Sequence, residues 1–333
     1  MGKKHIITAV VATLAILVAY SIFTRRAPRG LPADSIIGSD YTISASDIQR
    51  ALGRIQFSDD SAREYFSRGV LNPLTFRFFK FLQRRFRDMG FDDHLRAVRE
   101  YLRTIMDEAK AEEMYRLYVK FSQYEKSLAD QAKRWGTPST PAGALDYLRR
   151  LQDYRRAYFG KEVADELFGA LVKHQEYRIR KSAIIGDASL YGADKEKQIN
   201  GLRRDMWGEN EGEIDSNMRP YDRYQEKLGA YSRDLQEMSD ADRQTAIRDY
   251  RQQFFTPDVV RRLEAVDTQL AGEQQAETQY RAQEQKILSD VNLDHDEKER
   301  KIRELQDSTF GDDAEAFRRR EAIEKGMTRK QAR

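Results

Sequence analysis

Asp290, Asn292 and Asp294 stand at the alternate spacing of the first three ligands of a calcium-binding EF-hand loop. The chemistry stops there. The loop's sixth position, where the sharp turn needs Gly, is His295, and the twelfth, where a bidentate Glu closes the shell, is Lys301. The four histidines, His5, His94, His174 and His295, are scattered, with no H-x-x-x-H or H-E-x-x-H array to hold zinc. No G-x-S-x-G elbow, G-x-G-x-x-G turn or P-loop occurs. Zero Cys removes disulfides, thiolate metal sites, iron–sulfur clusters and a Cys nucleophile. The remaining carboxylates are spread over polar stretches, the pattern of a solvated face. The sequence therefore assigns no catalytic residue, no metal and no cofactor, and the chain reads as a non-enzyme.

What is left is recognition by helices. Charged residues make up 34% of the 333 and apolar residues 40%, with only 7 Pro and 19 Gly, a composition that favours long, charge-laced helices over a sandwich, barrel or Rossmann sheet. The formal net charge is +3, but the excess is local. Setting aside Lys3, Lys4, Arg25 and Arg26 leaves 54 basic against 55 acidic residues, and such a body offers no electrostatic footprint for nucleic acid. Those four residues flank Ile6–Phe23, 18 residues without a formal charge, near the lower limit for crossing a hydrocarbon core of about 30 Å. A cleaved signal peptide is the rival, with Ala19-Tyr20-Ser21 as a poor small-x-small site. The apolar run continues through Ile22-Phe23 into arginines, which favours an uncleaved anchor. Basic flanks on both sides leave its orientation open.

The elements behind the anchor follow from periodicity. Residues 24–40 carry two Pro and two Gly and read as a linker. Ser46-Asp47-Ile48-Gln49 is a capping-box start. In Leu74–Phe86, Phe76, Phe79, Leu82 and Phe86 recur at three- and four-residue spacings while Phe78 and Phe81 widen the apolar arc, predicting a helix buried on much of its circumference. Asp92–Glu108 places Leu95, Val98, Leu102 and Ile105 on one face, and a further helix runs through Glu112–Arg134. Gly136–Pro141 is the clearest break, with Pro141 suited to a first turn behind Thr140. Residues 264–286 offer only Val266, Leu270, Tyr280 and some Ala as inward-facing material, so this helix must be solvated along much of its length. No stretch shows sustained β alternation.

The chain also echoes itself. Tyr154-Arg155-Arg156-Ala157-Tyr158-Phe159-Gly160 resembles Tyr250-Arg251-Gln252-Gln253-Phe254-Phe255-Thr256, and Ile184–Leu190 resembles Ile287–Leu293. Each is followed by a charged helix ending in an aromatic, Trp207 or Phe310. A period of roughly 100 residues is too long for TPR or HEAT repeats and points to a duplicated helical module.

These stretches resemble the lipase-specific foldases, or lipase chaperones, of Gram-negative bacteria. Tyr154–Phe168 looks like the family's R-x-x-x-F-G-x-E-V-A-x-x-F-F, Ile184–Leu190 its I-L-x-D-x-x-L, and Phe255–Asp267 its G-x-E-A-A-x-R-L-x-x-L-D; Tyr280–Phe310 fits its closing helices. The likeness covers about residues 70–325. The family signature R-x-x-F-D-Y-F/C falls on Pro73–Phe79, with Pro73 for the Arg, Arg77 for the Asp and Phe78 for the Tyr. Reversed charge rejects a partner efficiently, so either the client lipase has diverged as well or the client is another hydrolase. The long Ala/Pro-rich spacer common in the family is missing.

The resemblance implies an all-α chain in which two small helical domains and an extended helical arm embrace one secreted α/β-hydrolase as a steric chaperone, without ATP and in a 1:1 complex. It places the anchor in the inner membrane and the body in the periplasm. The expected organisation is a cytoplasmic tip 1–5, anchor 6–23, linker 24–40, first small domain 41–135, extended domain 136–248, and second small domain with C-terminal helices 249–333. Phe76, Arg77, Phe78 and Phe79 are the expected client-binding residues. Phe76, Phe79 and Leu82 also fit as core, whereas Arg77 suits a surface. The competing class is a membrane-tethered adaptor or structural protein of the envelope, which composition does not separate from a foldase.

Overall fold

Helix caps and Gly stops, read in order, build the chain. The computed structural model describes residues 31, 34–38, 41–42, 45–53, 55–208, 212, 214 and 218–331, and among these no strand occurs. The expected anchor Ile6–Phe23 lies outside them. No helix of the described residues is long and apolar enough to cross a membrane.

The first helix, α1 (Ala45–Leu52), begins before the predicted cap, so Ser46 falls inside its first turn. Ser58 and Ser61 then form a reciprocal capping box for α2 (Asp59–Tyr65). The aromatic stretch folds as α3 (Thr75–Arg85). The helices expected over Asp92–Glu108 and Glu112–Arg134 are α4 (Phe91–Ile105), which ends early where Met106 turns extended, and α5 (Glu108–Trp135), which Asp107 caps by accepting the Lys110 N–H at 2.9 Å. Val98, Leu102 and Ile105 are buried as their spacing requires, with Leu95 at the margin.

After Gly136 the Thr140 hydroxyl accepts the Gly143 N–H at 3.1 Å and Pro141 opens α6 (Pro141–Phe159). Gly160, at φ +89°, reverses the chain into α7 (Lys161–Gly186). That backbone belongs to Gly because a Cβ strains it. Helices α8 (Gly192–Trp207), α9 (Pro220–Ala230), α10 (Ser232–Glu237) and α11 (Asp240–Phe254) follow. The last part holds α12 (Pro257–Ser289), α13 (His295–Phe310) and α14 (Ala314–Gln331).

The chain divides into two compact units, Met1–Tyr250 and Arg251–Arg333. The first is built on an aromatic core in which Phe66, Phe78, Phe79, Leu82, Leu102, Tyr118, Phe121 and Phe168 are all but inaccessible. Burying one such Phe is worth about 1.5–3 kcal/mol. A satellite cluster joins Ala51, Ala170, Tyr177, Trp207 and Ile214.

Ile36 and Ile37, in the stretch expected to be linker, are buried in the main core. Glu176, fully buried on α7, accepts the Ile36 N–H at 3.0 Å and the Ser35 hydroxyl at 3.3 Å. Arg180 grips the same carboxylate at 2.8 and 3.0 Å, and Arg149 and Arg180 both donate to the Asp34 carbonyl. Residues 34–38 are thus a strap tied to the body.

The second unit centres on Tyr280, which is fully buried between Phe310 and Phe317. Its hydroxyl donates to Glu284 at 2.7 Å and accepts from Gln306 at 3.0 Å. Arg320–Glu277 (3.1 Å) and Arg281–Glu321 tie α14 across α12.

Candidate functional site

Helix α3 carries the four residues expected at the family signature. Its start is held by the Thr75 hydroxyl, which donates to the Val70 carbonyl at 2.6 Å and accepts the Asn72 N–H at 3.0 Å. Phe78 has no exposed surface and lies 4.8 Å from the Phe66 ring and 5.3 Å from Phe57. Phe79 is equally inaccessible, packed on Phe121 at 5.0 Å and Tyr118 at 5.3 Å. Both rings therefore support the helix from behind rather than form its outer surface. Phe76 is half-buried, edge-on to Phe121 at 5.8 Å and to Phe168 of α7 at 5.3 Å.

Arg77 is half-buried as well, and its guanidinium turns inward. One nitrogen donates to the Arg50 carbonyl at 2.8 Å, the Ala51 carbonyl at 3.3 Å and the Gly53 carbonyl. A cation here satisfies the orphan carbonyls at the end of α1 and complements its dipole. Burial, with Arg84 nearby, lowers the Arg77 pKa. The sign reversal at this position thus has an intramolecular use. Arg77→Asp should lower stability by about 1.5–3 kcal/mol, the worth of hydrogen bonds to a charged group. Urea denaturation followed by circular dichroism measures it, and a midpoint equal to wild type would return Arg77 to the surface role.

The stretch that resembles R-x-x-x-F-G-x-E-V-A-x-x-F-F is the corner between α6 and α7. Arg155, nearly buried, lays its guanidinium 4.1 Å over the Phe168 ring and donates to the Tyr124 hydroxyl at 3.1 Å. Burial pushes the Tyr124 pKa up. Asp165 accepts from Gln152 and Arg156, both at 2.8 Å. Burial alone would raise its pKa, but these hydrogen bonds hold it below the usual carboxylate value. The motif's residue types are those a buried, fully paired corner requires.

The second echo is a turn. Asp187 accepts the Ser189 N–H and hydroxyl at 2.9 and 2.6 Å, and Asp290 accepts the Asn292 N–H at 2.9 Å in the same way. These hydrogen bonds lower the Asp187 pKa. Asp294 caps α13 in a box with Glu297. The two aspartates of the calcium-like spacing thus serve as backbone caps.

With both echoes placed, the duplication becomes geometric. Tyr177 and Tyr280 each stand ten residues before the turn aspartate; α8 and α13 are each 16 residues and end in Trp207 and Phe310. Each then stops at a Gly, Gly208 at φ +53° and Gly311 at φ +54°. Tyr177 packs edge-on to Trp207 at 6.3 Å, and Tyr280 meets Phe310 at 5.2 Å. The corners are offset by 96 residues and the turns by 103, while α12 has 33 residues against 26 in α7. The second copy holds seven extra residues in its long helix.

Two apolar positions of α12 face outward, against expectation. Val266 and Leu270, expected to face inward, are 50% and 56% exposed, and Val259 is 36% exposed. Tyr280 alone of the three expected positions is buried. Among the described residues no cluster of His, Asp and Glu could hold a metal.

Residues 117–315, from α5 to the first turn of α14 and so across both copies of the module, match the family model described as proteobacterial lipase chaperone protein. The signature position at residues 73–79 precedes the matched region. No curated protein matches the chain, and no solved structure does. The match spans more than half of the chain, which therefore belongs to the proteobacterial lipase chaperone family.

Proposed function

We propose that the chain is a membrane-anchored steric chaperone that assists one secreted lipase to fold, facing the periplasm and working without ATP. The observation that carries the reading is the family match across both copies of the helical module. The physics is consistent with it. A client stalled short of its native state needs a scaffold that favours the native surface over the stalled one, and differential binding alone lowers that barrier. Charge-laced helices offer a broad, mostly polar interface, whose area does not convert into tight binding, so the client can leave. The sequence contains no phosphate-binding loop for a nucleotide.

Ile6–Phe23 supplies the anchor in this reading, and one chaperone holds one client. At the signature position, the accessible parts of Phe76 and Arg77 meet the client while Phe78 and Phe79 hold the helix in place behind them. The test is co-expression of the full chain with the exported hydrolase of a neighbouring reading frame. Active hydrolase should rise at least about tenfold, equivalent to about 1.4 kcal/mol. Equal activity with and without the chain would sink the proposal.

A further inference from the structure

We infer that the turn between α3 and α4, residues 86–91, rests on an anionic bilayer surface, with Met89 and Phe91 in the headgroup layer and the surrounding cations on lipid phosphates; this rests on the reading of Ile6–Phe23 as an anchor. Among the described residues before Tyr191, Met89 and Phe91 alone are large apolar side chains left exposed, at 49% and 40%. They stand two residues apart on one turn. From Arg84 to Asp93 every residue but Phe86 is exposed, so the turn stands out from the body.

The body holds this turn in place. Phe86 packs edge-on to Tyr101 at 5.9 Å, and its carbonyl accepts from His94 Nδ1 at 2.9 Å. The other ring nitrogen of His94 lies 2.6 Å from the Tyr118 hydroxyl, and the His94 N–H donates to the Gly90 carbonyl at 2.8 Å. With both ends pinned to α4 and α5, the apolar tip is presented outward. Cations ring it. Residues 67–87, which lead into the turn, hold six basic residues and no acidic one. Around the tip, exposed Arg84, Arg85, Arg87, Arg96 and Lys126 stand against Asp88, Asp92 and Asp93, and Lys126 lies 3.3 Å over the Phe91 ring. Asp88 meets Arg87 at 3.4 Å and Asp93 meets Arg96 at 3.1 Å, but pairs this exposed hold little energy and give way to a dense row of phosphates.

An apolar tip ringed by cations is the chemistry of a bilayer interface, where apolar and aromatic groups settle at headgroup level and each nearby Lys or Arg is drawn to anionic lipid. Two side chains on a turn fall well short of the ~800 Å² per partner of a stable protein interface. For a chain already tethered they are enough, because the anchor makes the second contact intramolecular. The tether, residues 24–33, is short, reaching at most about 40 Å, and keeps the body at the bilayer.

The test uses the absence of Cys from the chain, which makes Gly90→Cys a single labelling site. Gly90 has φ −62°, and a Cβ there meets nothing nearer than the Asp93 carboxylate at 3.8 Å. Ala109→Cys is the control, exposed beyond the far end of α4, whose 15 residues span about 22 Å. Full-length chains carrying a bimane fluorophore at either site are reconstituted into vesicles of brominated phosphatidylcholine, alone or mixed with phosphatidylglycerol. In the mixed vesicles the Gly90 label should be quenched at least about threefold more than the Ala109 label, and more than in phosphatidylcholine alone. At wild-type helicity, R84Q/R87Q and M89S/F91S should each lower that quenching at least about threefold. Equal quenching at the two sites, or quenching indifferent to lipid charge or to both variants, overturns the inference and leaves the anchor reading standing. Loss of the chain from the vesicles on an alkaline carbonate wash overturns both. A Gly90 label shielded from aqueous iodide yet unquenched by lipid assigns the turn to this chain or a second copy and overturns the inference too.

Discussion

Phe78→Ala should destabilise the first unit by about 3–5 kcal/mol, among the largest losses a single core truncation produces. The ring has no exposed surface and touches Phe66, Phe57 and Phe81, so its removal leaves a cavity walled by rings that cannot collapse without leaving their own packing. Phe78→Tyr is the sharper companion. The family pattern has Tyr here, but this pocket is lined by hydrocarbon, and a buried hydroxyl without a partner costs about 1–3 kcal/mol. Urea denaturation of each variant by circular dichroism measures both effects. An unchanged midpoint for Phe78→Ala would mean that the ring faces solvent or client after all. Loss of chaperone activity that tracks the fall in midpoint marks a folding role for the residue.

The second large effect is expected at the strap. Glu176→Ala removes a buried carboxylate that pairs with Arg180 and accepts the Ile36 N–H. It leaves the Arg180 guanidinium, nearly buried itself, without its carboxylate, and breaking such a pair from one side costs about 3–5 kcal/mol. The loss should be local first, because Ser35 and Ile36 are held through this carboxylate, and Asp34 through its Arg180 partner together with Arg149. Hydrogen exchange at the Ile36 amide is the direct readout: it should speed up far more than exchange in α5. Exchange at Ile36 as slow as in wild type would show that hydrophobic burial of Ile36 and Ile37 holds the strap unaided.

Much of this architecture was legible because caps and periodicity are local. Thr140-Pro141, Gly136 and the aromatic spacing of α3 each specify structure within a few residues. The break at Met106-Asp107 falls a few residues before the one expected between Glu108 and Glu112, because the apolar spacing runs on through Ile105 and Met106 and only the cap geometry marks the turn. The direction of Arg77 depends on carbonyls 24 to 27 residues away, which no local pattern encodes. Ile36 and Ile37 sit in a Pro- and Gly-rich stretch whose composition reads as linker, and two apolar residues are too few to carry a period. Val266 and Leu270 were placed inward because a helix was expected to bury its few apolar residues against its own chain.

On the proposal that Ile6–Phe23 anchors the chain, the strap sets the length of a leash. Residues 24–33 are all that lie between Phe23 and the clasp at Asp34, a reach of at most about 40 Å when fully drawn out. A body so tethered would explore only a thin shell beside the bilayer, and, if it faces the periplasm as proposed, a client emerging through that bilayer would meet it at high effective concentration. Freeing the clasp would lengthen the leash by the residues it releases and so enlarge that shell.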